Sequence, residues 1–238
     1  MSGYELKSVA RKLIRDNSPK VFFVSLLFII ITTVMTTLEQ RLTGVMEIYE
    51  KYLEQMSTGA IQDLGSIFSY SRPGGMPFAI VLWLLAPIIT TGYKSYCLNI
   101  SRGKTGGYGD IFDGFLFFGK VILLHIMTNV LVCLWSLLLI VPGFVASYRY
   151  RQAFFILIDD PGKGVFQCIR ESKQMMKRKK LELFLIDISF VGWYILNTLI
   201  ILIAPVPFLL PLISIWLTPY FNLTCAAYYN RLINDLVV

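Results

Sequence analysis

The sequence has few of the residues from which catalytic and metal sites are built. It contains one histidine, His125, and four cysteines, none of which forms a CxxC pair. A zinc site or a disulfide framework needs clustered residues, so the spacing favours small core cysteines and a structural histidine bonded to a neighbouring helix. The motifs HExxH, GxSxG, GxGxxG and the Walker loop do not occur. The sequence therefore predicts no enzyme activity, no cofactor and no metal.

Charged residues are also scarce, at 16% of the chain, whereas 55% of the residues are hydrophobic and the mean hydropathy is +0.63. The apolar residues are collected in long runs, which is typical of a multi-pass membrane protein. The formal net charge is +7, but the basic residues lie mostly between the apolar runs, where membrane topology explains them. No aromatic and basic recognition module accompanies them, which argues against nucleic-acid binding.

Six apolar stretches are candidates for membrane spans, since a bilayer core about 30 Å thick requires about 20 apolar residues per helix. They are residues 21–38, 78–98, 115–140, 143–158, 182–203 and 207–230. The fourth is short for a complete crossing. The predicted fold class is an all-α, multi-pass membrane bundle of about six transmembrane helices with amphipathic interfacial helices, in a single integral membrane domain of residues 1–238.

The basic residues predict the orientation of these spans. With six crossings, the basic lead-in 1–20, the loop that contains Arg102 and the basic segment 159–181 all lie on one side. The loop 38–77 lies on the other side and is acidic. The positive-inside rule then places both termini in the cytoplasm. The first apolar run is expected to remain as a helix, because no small-residue cleavage site follows it.

Two of the flanking segments have amphipathic helical patterns. The exterior segment 38–77 carries one apolar stripe, which predicts a helix packed on the bundle or lying in the interface; the stripe consists of Leu38, Leu42, Val45, Tyr49, Tyr52 and Met56. The segment 159–181 has an apolar face and a cationic face, which predicts a helix on the cytoplasmic leaflet. Its candidate lipid-headgroup contacts are Lys173, Lys177, Arg178, Lys179 and Lys180.

Turn residues separate some of these elements. Pro142 lacks a backbone N–H and Gly143 is permissive, so the pair predicts a tight exterior turn between the third and fourth spans. Asp159 and Asp160 stand directly before Pro161-Gly162. Aspartates in this position favour a turn over acid–base or metal chemistry.

Arg149 and Arg151 lie within the otherwise apolar fourth span. A charged side chain inside a bilayer costs roughly 2.5–3.5 kcal/mol unless it is solvated or paired. Glu182 and Asp187 are possible partners, although Arg149 and Arg151 point to different faces of a helix, so one partner cannot serve both. Three interpretations stay open: snorkelling or a structural ion pair, a polar cavity for an anionic ligand, and a mistaken span.

The order and spacing of several stretches carry a family resemblance. The quoted stretches are "LKSVARKLIRDN", "TGYKSYCLNISRGKTGGYGDIFDGF", "VPGFVASYRYRQAFFILIDDP", "RESKQMMK", "ISFVGW" and "TPYFNLTCAAYY". Together they resemble the DUF975 family of uncharacterised bacterial integral membrane proteins, over nearly the whole chain. Arg149 and Arg151 depart from the family pattern, in which small polar residues are expected, and Arg178 stands where that pattern has the glycine of a Gly-His-Lys turn.

The resemblance implies a module of the bacterial plasma membrane, loosely similar to the membrane domain of some glycerophosphodiester phosphodiesterases but without their catalytic domain. The first functional hypothesis is a non-enzymatic accessory or scaffold protein that acts through anionic lipids, a membrane protein partner or a homo-oligomer. The alternative is a small transporter or export component with a polar path near Arg149, Arg151 and Asp187. A membrane-embedded lipid enzyme is a third hypothesis, disfavoured because the sequence contains no catalytic constellation.

Overall fold

The structure is a computed structural model that describes residues 3–58, 72–203 and 210–237. These ranges are helical apart from short connections and contain no β-strand. The α-helices are α1 (Gly3–Asp16), α2 (Lys20–Thr43), α3 (Val45–Thr58), α4 (Met76–Ser101), α5 (Phe118–Leu138), α6 (Ile140–Tyr150), α7 (Ala153–Asp159), α8 (Val165–Met175), α9 (Lys180–Ile203) and α10 (Leu210–Val237). Two 3-10 helices, Pro73–Gly75 and Tyr108–Phe117, precede α4 and α5. The all-α fold class predicted from the sequence is confirmed.

The chain divides into two compact units whose boundaries fall inside α2 and α4. The large unit comprises Met1–Ile29 and Ile88–Val238, and the small unit comprises Ile30–Pro87. The large unit therefore contains all the residues that the sequence singled out as candidate sites, and the small unit contains the predicted exterior segment.

In the small unit, α3 follows α2 after one residue, and Arg72 contacts the chain beside this junction. The backbone N–H of Arg72 donates to Thr43 O at 3.0 Å, and its guanidinium forms an ion pair with Glu47 at 2.9 Å. The predicted apolar stripe is exposed at Val45, Tyr49 and Tyr52. Residues 59–71 of the predicted exterior loop, and the side chain of Met56, lie outside the described residues.

The core of the large unit contains a group of aromatic side chains around α4. Tyr93 is fully buried, stacks on Phe28 with ring centroids 4.2 Å apart, and shares a 2.7 Å hydrogen bond with Ser25. Gly92 lies against the 3-10 helix that follows α4, where an added Cβ would meet Ile111 O at 1.8 Å. A side chain at this position would thus push the 3-10 helix away from α4.

Helices α5 and α6 form a hairpin with a minimal connection. One extended residue, Leu139 (φ −162°, ψ 145°), separates them. The prediction of a turn at Pro142-Gly143 is wrong, because both residues lie in the first turn of α6, where a proline removes no helical hydrogen bond. Gly143 instead permits close packing of the hairpin, since an added Cβ would lie 2.7 Å from the Cα of Ser136.

The predicted fourth span, 143–158, is divided between two helices. Helix α6 ends at Tyr150 and α7 begins at Ala153. The two junction residues keep right-handed helical backbone angles, φ −61° and ψ −33° at Arg151 and φ −78° and ψ −12° at Gln152. The path from Ile140 to Asp159 therefore continues past the junction and is about 30 Å long at 1.5 Å per residue.

The start of α9 lies beside the end of α10. Lys179 Nζ is 3.2 Å from Asp235 Oδ2, and Arg231 pairs with Glu182. Tyr228 adds a hydrogen bond of 2.9 Å to the carbonyl of Lys179. These contacts make α9 and α10 an antiparallel pair.

The predicted basic lead-in is largely helical, as α1. Its apolar face packs on α10 and α9 through Leu6, Ala10 and Ile14, which are at most 7% exposed. Lys7 Nζ lies 4.3 Å from the centroid of the Phe190 ring and 3.4 Å from the carbonyl of Ser189. The lead-in is therefore an integral part of the large unit.

Ion pairs and hydrogen bonds gather at one end of the large unit. Arg102, after α4, forms a bidentate pair with Asp159, at the end of α7, with N···O distances of 2.5 and 2.9 Å. Lys120, at the start of α5, donates to the carbonyls of Pro161 and Lys163. We call this the charged end. At the opposite, apolar end, the segment 137–141 is five apolar residues in succession, each at least 67% exposed.

Within the described residues, α2, α4 and the segment Tyr108–Leu138 are each long and apolar enough to cross a membrane. They coincide with the first three predicted spans. The fifth and sixth predicted spans correspond to α9 and α10, apart from residues 207–209 of the sixth, which are not among the described residues. The chain is thus helical with several helices of membrane-spanning character, the class of protein that composition predicted.

Candidate functional site: a charged layer in the large unit

Arg151, at the junction of α6 and α7, forms an ion pair with Asp187 of α9. Tyr148 donates a second hydrogen bond to the same carboxylate oxygen at 2.9 Å, and the Cys225 sulfur lies 3.5 Å from the guanidinium. The two charged side chains are only 27% and 21% exposed. Of the two carboxylates that the sequence offered as partners, Asp187 is the one that the fold brings to Arg151.

Two residues that sequence reasoning did not select for this site lie at the same depth. Lys94 and His125 each lie seven residues from the charged end of their helices, α4 and α5. Asp187 lies seven residues from Lys180, and Arg151 lies eight from Asp159. At 1.5 Å per residue, all four lie about 10–12 Å from the charged end. We call these four residues the charged layer.

A cavity of about 240 Å³ opens on the charged layer. It lies between α4, α5, α6 and α7, and its polar lining residues are Lys94, His125, Thr128, Asn129, Ser147, Tyr150 and Arg151. The short neutral side chains are engaged within their own helices: Thr128 donates to Leu124 O at 2.8 Å, Asn129 donates to His125 O at 2.9 Å, and Ser147 donates to Phe144 O at 2.7 Å. The cationic groups of the cavity are therefore the donors most available to a bound group.

Lys94 is held mainly by aromatic rings. Its Nζ lies 4.6 Å from the centroid of Phe154 and 5.9 Å from that of Phe155. The face of an aromatic ring attracts a cation but does not neutralise its charge. Within the described residues, the Lys94 ammonium has no carboxylate within 4.0 Å.

Arg149 is not part of this layer. Its guanidinium lies 6.0 Å from the ring of Trp135 on α5, and no carboxylate of the described residues is within 4.0 Å of it. Its carbonyl accepts a 2.7 Å hydrogen bond from Ser172. The two arginines therefore have separate environments, as their spacing predicted.

The basic segment 159–181 contains α8 and the connection to α9. The apolar face of α8 packs inside the protein, and Cys168, Ser172 and the adjoining Met176 are fully buried. The prediction that this face lies in a lipid leaflet is therefore wrong, because helices of the large unit already cover it. Arg178 has a φ of +63°, the left-handed conformation that suits the glycine expected there by family resemblance.

The five candidate headgroup contacts differ in their surroundings. Lys173, Lys177 and Arg178 are exposed. Lys179 is engaged by Asp235 at 3.2 Å and by Glu182 at 3.6 Å, and Lys180 is half-buried. We call the three exposed cations the basic turn, since they end α8 and begin the connection to α9.

Asp159 and Asp160 have different roles. Asp160 Oδ1 accepts a 3.0 Å hydrogen bond from the backbone N–H of Gly162, as the predicted turn requires. Asp159 instead forms an ion pair with Arg102 and accepts a hydrogen bond of 2.8 Å from the Tyr229 hydroxyl. The hydrogen bond to Asp159 is the main cause that raises the pKa of Arg102 above its ordinary value. Nothing in the spacing of the sequence indicated this pair, because its members are far apart in the chain.

A second ion pair lies at the outer edge of the charged end. Lys163 Nζ is 2.8 Å from Glu171, which also accepts a hydrogen bond of 2.9 Å from Gln167. The bond to Glu171 raises the pKa of Lys163. Burial acts to raise the pKa of Glu171, but the two donors outweigh it, and that pKa is lowered.

The remaining candidates from the sequence are His125 and the four cysteines. Asn129, one turn along α5, lies 3.1 Å from His125 Nε2, so this histidine has a partner on its own helix, whereas the sequence predicted one on a neighbouring helix. Cys97, Cys168 and Cys225 are buried, as predicted, whereas Cys133 is exposed. The described residues hold no group of three or more histidine, cysteine and acidic side chains arranged for a metal.

The fold and the charged layer together define a helical protein with helices long and apolar enough to span a membrane and with titratable side chains between its helices. The family model described as protein of unknown function (DUF975) matches residues 137–235, which include Arg151, Asp187 and the basic turn. This match supports the resemblance to the DUF975 family over these residues, which are less than half of the chain. No curated protein and no solved structure matches the chain.

Proposed function

We propose that this chain is a non-enzymatic accessory protein of the bacterial plasma membrane that acts through anionic lipids and partner proteins. The observation that carries the proposal is the basic turn. Its three cations are exposed, while the apolar face of the helix that bears them is packed inside the protein. The protein thus presents fixed positive charge without inserting this helix into a leaflet. Each basic residue near an anionic surface contributes about 1 kcal/mol of attraction.

The orientation that the proposal requires has six crossings and cytoplasmic termini. Arg102 contacts Asp159, and Lys179 contacts Asp235, so the connections that carry these basic residues are joined to helix ends by ion pairs. The positive-inside rule assigns such an end to the cytoplasm. Cysteine labelling of intact cells tests this: a cysteine at Lys104 or Lys177 should react only after lysis, and one at Glu54 should react before it.

The lipid role is tested on the purified full-length protein. Native mass spectrometry would count the phosphatidylglycerol molecules retained by the native chain and by the triple variant Lys173→Gln, Lys177→Gln and Arg178→Gln. We expect affinity for phosphatidylglycerol to fall at least tenfold, since about 1 kcal/mol is lost per cation. Phosphatidylcholine should bind equally to both proteins.

A matched control removes three cations from the exterior segment, as Arg41→Gln, Lys51→Gln and Arg72→Gln. It changes the net charge equally and should leave lipid retention near that of the native chain. Unchanged lipid retention in the basic-turn variant, with normal orientation, would overturn the lipid role.

The partner role rests on the exterior helix α3, where Tyr49 is 58% exposed and Tyr52 is 46% exposed. Exposed aromatic residues of this kind are common at interfaces and in membrane belts. Crosslinking in native membranes should give a reproducible stoichiometric product that is lost when Tyr49 and Tyr52 become serine. A homo-oligomer or a second protein would each satisfy the proposal; a monomer under all crosslinking conditions would contradict it.

A small transporter is the second candidate function, and the cavity at the charged layer favours it. Arg151 and Asp187 lie between helices, beside a space large enough for a small anion. Uptake or efflux by cells should then be lost in Arg151→Gln with normal expression, whereas Arg149→Gln should retain it. Loss of folded Arg151→Gln protein would instead assign Arg151 a purely structural role.

A further inference from the structure

The cavity at the charged layer carries more positive charge than the surrounding side chains neutralise. Lys94 and Arg151 both line it, no acidic residue is among its described lining residues, and Asp187 binds Arg151 from outside that lining. With His125 neutral, the layer has a formal charge of +1. We infer that this cavity binds a phosphate group that bears one negative charge, held by Lys94 and the unoccupied N–H groups of Arg151.

The donors that remain support an oxyanion with several oxygens. Arg151 uses one terminal nitrogen for Asp187 and directs another to the Cys225 sulfur at 3.5 Å, but a guanidinium has five N–H groups. Lys94 contributes three more, and its contacts are the rings of Phe154 and Phe155. A tetrahedral phosphate can accept from both cations at once, in charge-assisted hydrogen bonds.

The absence of a neutralising acid is costly in this position. A cation inside a membrane is stable only where it is solvated, paired or directed to a polar space. Aromatic faces reduce the cost of burying Lys94 but leave its charge in place. A bound monoanion would balance the charge that Lys94 brings to the cavity, which none of the described lining residues does.

The depth of the cavity suits a phosphate drawn from the membrane surface. Helix α4 has 26 residues and is about 39 Å long, so it exceeds a hydrocarbon core of about 30 Å by a few ångströms at each end. Lys94, about 10 Å from the charged end, then lies about 5 Å below the edge of the core. A phospholipid phosphate or a free phosphate ion from the adjoining water could both reach it.

The inference does not depend on the basic turn, and it holds whether or not the bound group crosses the membrane. The test uses the full-length protein in an uncharged detergent, with thermal unfolding and native mass spectrometry as readouts. The added ligands are phosphatidylglycerol, inorganic phosphate and phosphatidylcholine. We expect phosphatidylglycerol or phosphate to raise the unfolding temperature, and phosphatidylcholine, whose charge is internally balanced, to have a much smaller effect.

Variants of Lys94 separate a ligand site from a structural lysine. Lys94→Met should weaken binding at least tenfold, since it removes one partner of a desolvated charge pair. It should not lower the unfolding temperature of the ligand-free protein, because an uncompensated charge is removed. Lys94→Arg should bind within a few-fold of the native chain, and Lys104→Met, an exposed cation at the charged end, should bind equally. The basic-turn variant should keep the Lys94-dependent binding, which separates this inference from the lipid role proposed above.

The outcomes identify the source of the phosphate or overturn the inference. A response to phosphatidylglycerol alone assigns the site to a lipid headgroup, and an equal response to inorganic phosphate assigns it to a soluble ion. Equal binding by Lys94→Met and the native chain, or equal effects of phosphatidylcholine and phosphatidylglycerol, overturns it. Should Lys94→Met fail to fold, a photoreactive phosphatidylglycerol on the native chain decides: crosslinks near Asn129 or Phe154 are expected, and crosslinks confined to 173–180 refute the site.

Discussion

The charged layer and the basic turn both concentrate positive charge, but the protein treats that charge in opposite ways. In the layer, Arg151 is held by a carboxylate, a tyrosine hydroxyl bonds the same carboxylate, and Lys94 lies against aromatic rings. In the turn, Lys173, Lys177 and Arg178 are exposed. Water stabilises the exposed cations of the basic turn, but it cannot freely reach those of the charged layer. Only the charged layer therefore needs partners supplied by other helices.

The difference in exposure between the two groups of cations bears on how selectively each can bind an anion. A surface cation attracts any anionic headgroup and is screened by salt within about 8 Å at physiological ionic strength. A cation in a cavity is screened less and accepts only a group that fits the space. In the functions proposed above, the basic turn would hold the protein at an anionic surface, and the charged layer would select a ligand.

The largest expected effect comes from breaking the pair in the layer. Asp187→Asn should lower the free energy of unfolding by about 3 kcal/mol, because it leaves the Arg151 charge buried without its carboxylate. Denaturation in detergent measures this. The added change Arg151→Met should recover much of the loss by removing the unpaired charge.

Asp16→Asn is the control for that experiment, since Asp16 is 49% exposed and lies 3.7 Å from Arg15 at the surface. Its effect should stay below about 0.5 kcal/mol. If Asp187→Asn cost no more than this control, the distinction between interior and surface charge would fail.

A smaller effect, of opposite sign, is expected in the basic turn. Arg178→Gly should raise the free energy of unfolding by roughly 0.5–1 kcal/mol, because a non-glycine residue at φ +63° is strained. Lys177→Gly removes the same charge where the backbone φ is not positive, and should lower stability instead. Equal shifts in the two variants would show that charge, and not backbone conformation, controls the turn.

The smallest expected effect concerns the pH dependence of the outer pair, Lys163 and Glu171. The pKa of Glu171 is lowered in the folded protein. Its contribution to the free energy of unfolding is therefore complete above the ordinary pKa of 4.5, and it is lost as the pH falls through the lowered pKa. Because the pKa of Lys163 is raised, its contribution to the free energy of unfolding is lost only at pH values above 10.5. Since both side chains are about a third exposed, a few tenths of a kcal/mol are at stake.

Titration of stability from pH 8 to pH 3 in the native chain and in Glu171→Gln measures this term. The difference between the two proteins should be constant near neutrality and should vanish in acid. A difference that grows in acid would mean that Glu171 is stabilised in its protonated form.

Sequence reasoning was reliable for features that depend on local composition. The apolar runs predicted α2, α4 and α5, and the acid Asp187 was recognised as a possible partner of Arg151. It failed where packing decides. Pro142-Gly143 has the composition of a turn, yet the helix begins before it, because Leu139 alone closes the hairpin and Gly143 is needed for close contact with Ser136.

The same limit explains the residues that were missed in the site. Nothing in the sequence singled out Lys94 as a site residue, and His125 was predicted to be a structural histidine. Their shared depth with Arg151 follows from how α4 and α5 align with the α6–α7 junction. Arg102 and Asp159 likewise meet only after the hairpin returns the chain to the charged end.

By itself, the sequence determined that the chain is helical and apolar, where its basic residues are concentrated and which family it resembles, since these follow from hydropathy, charge and motif order along the chain. Only the tertiary structure decided that α8 packs inward, that Arg151 pairs with Asp187 and not Glu182, and that Lys94 shares a cavity with Arg151. The physical reason is that burial and pairing depend on distances between helices, and those distances arise from the packing of residues remote in the sequence.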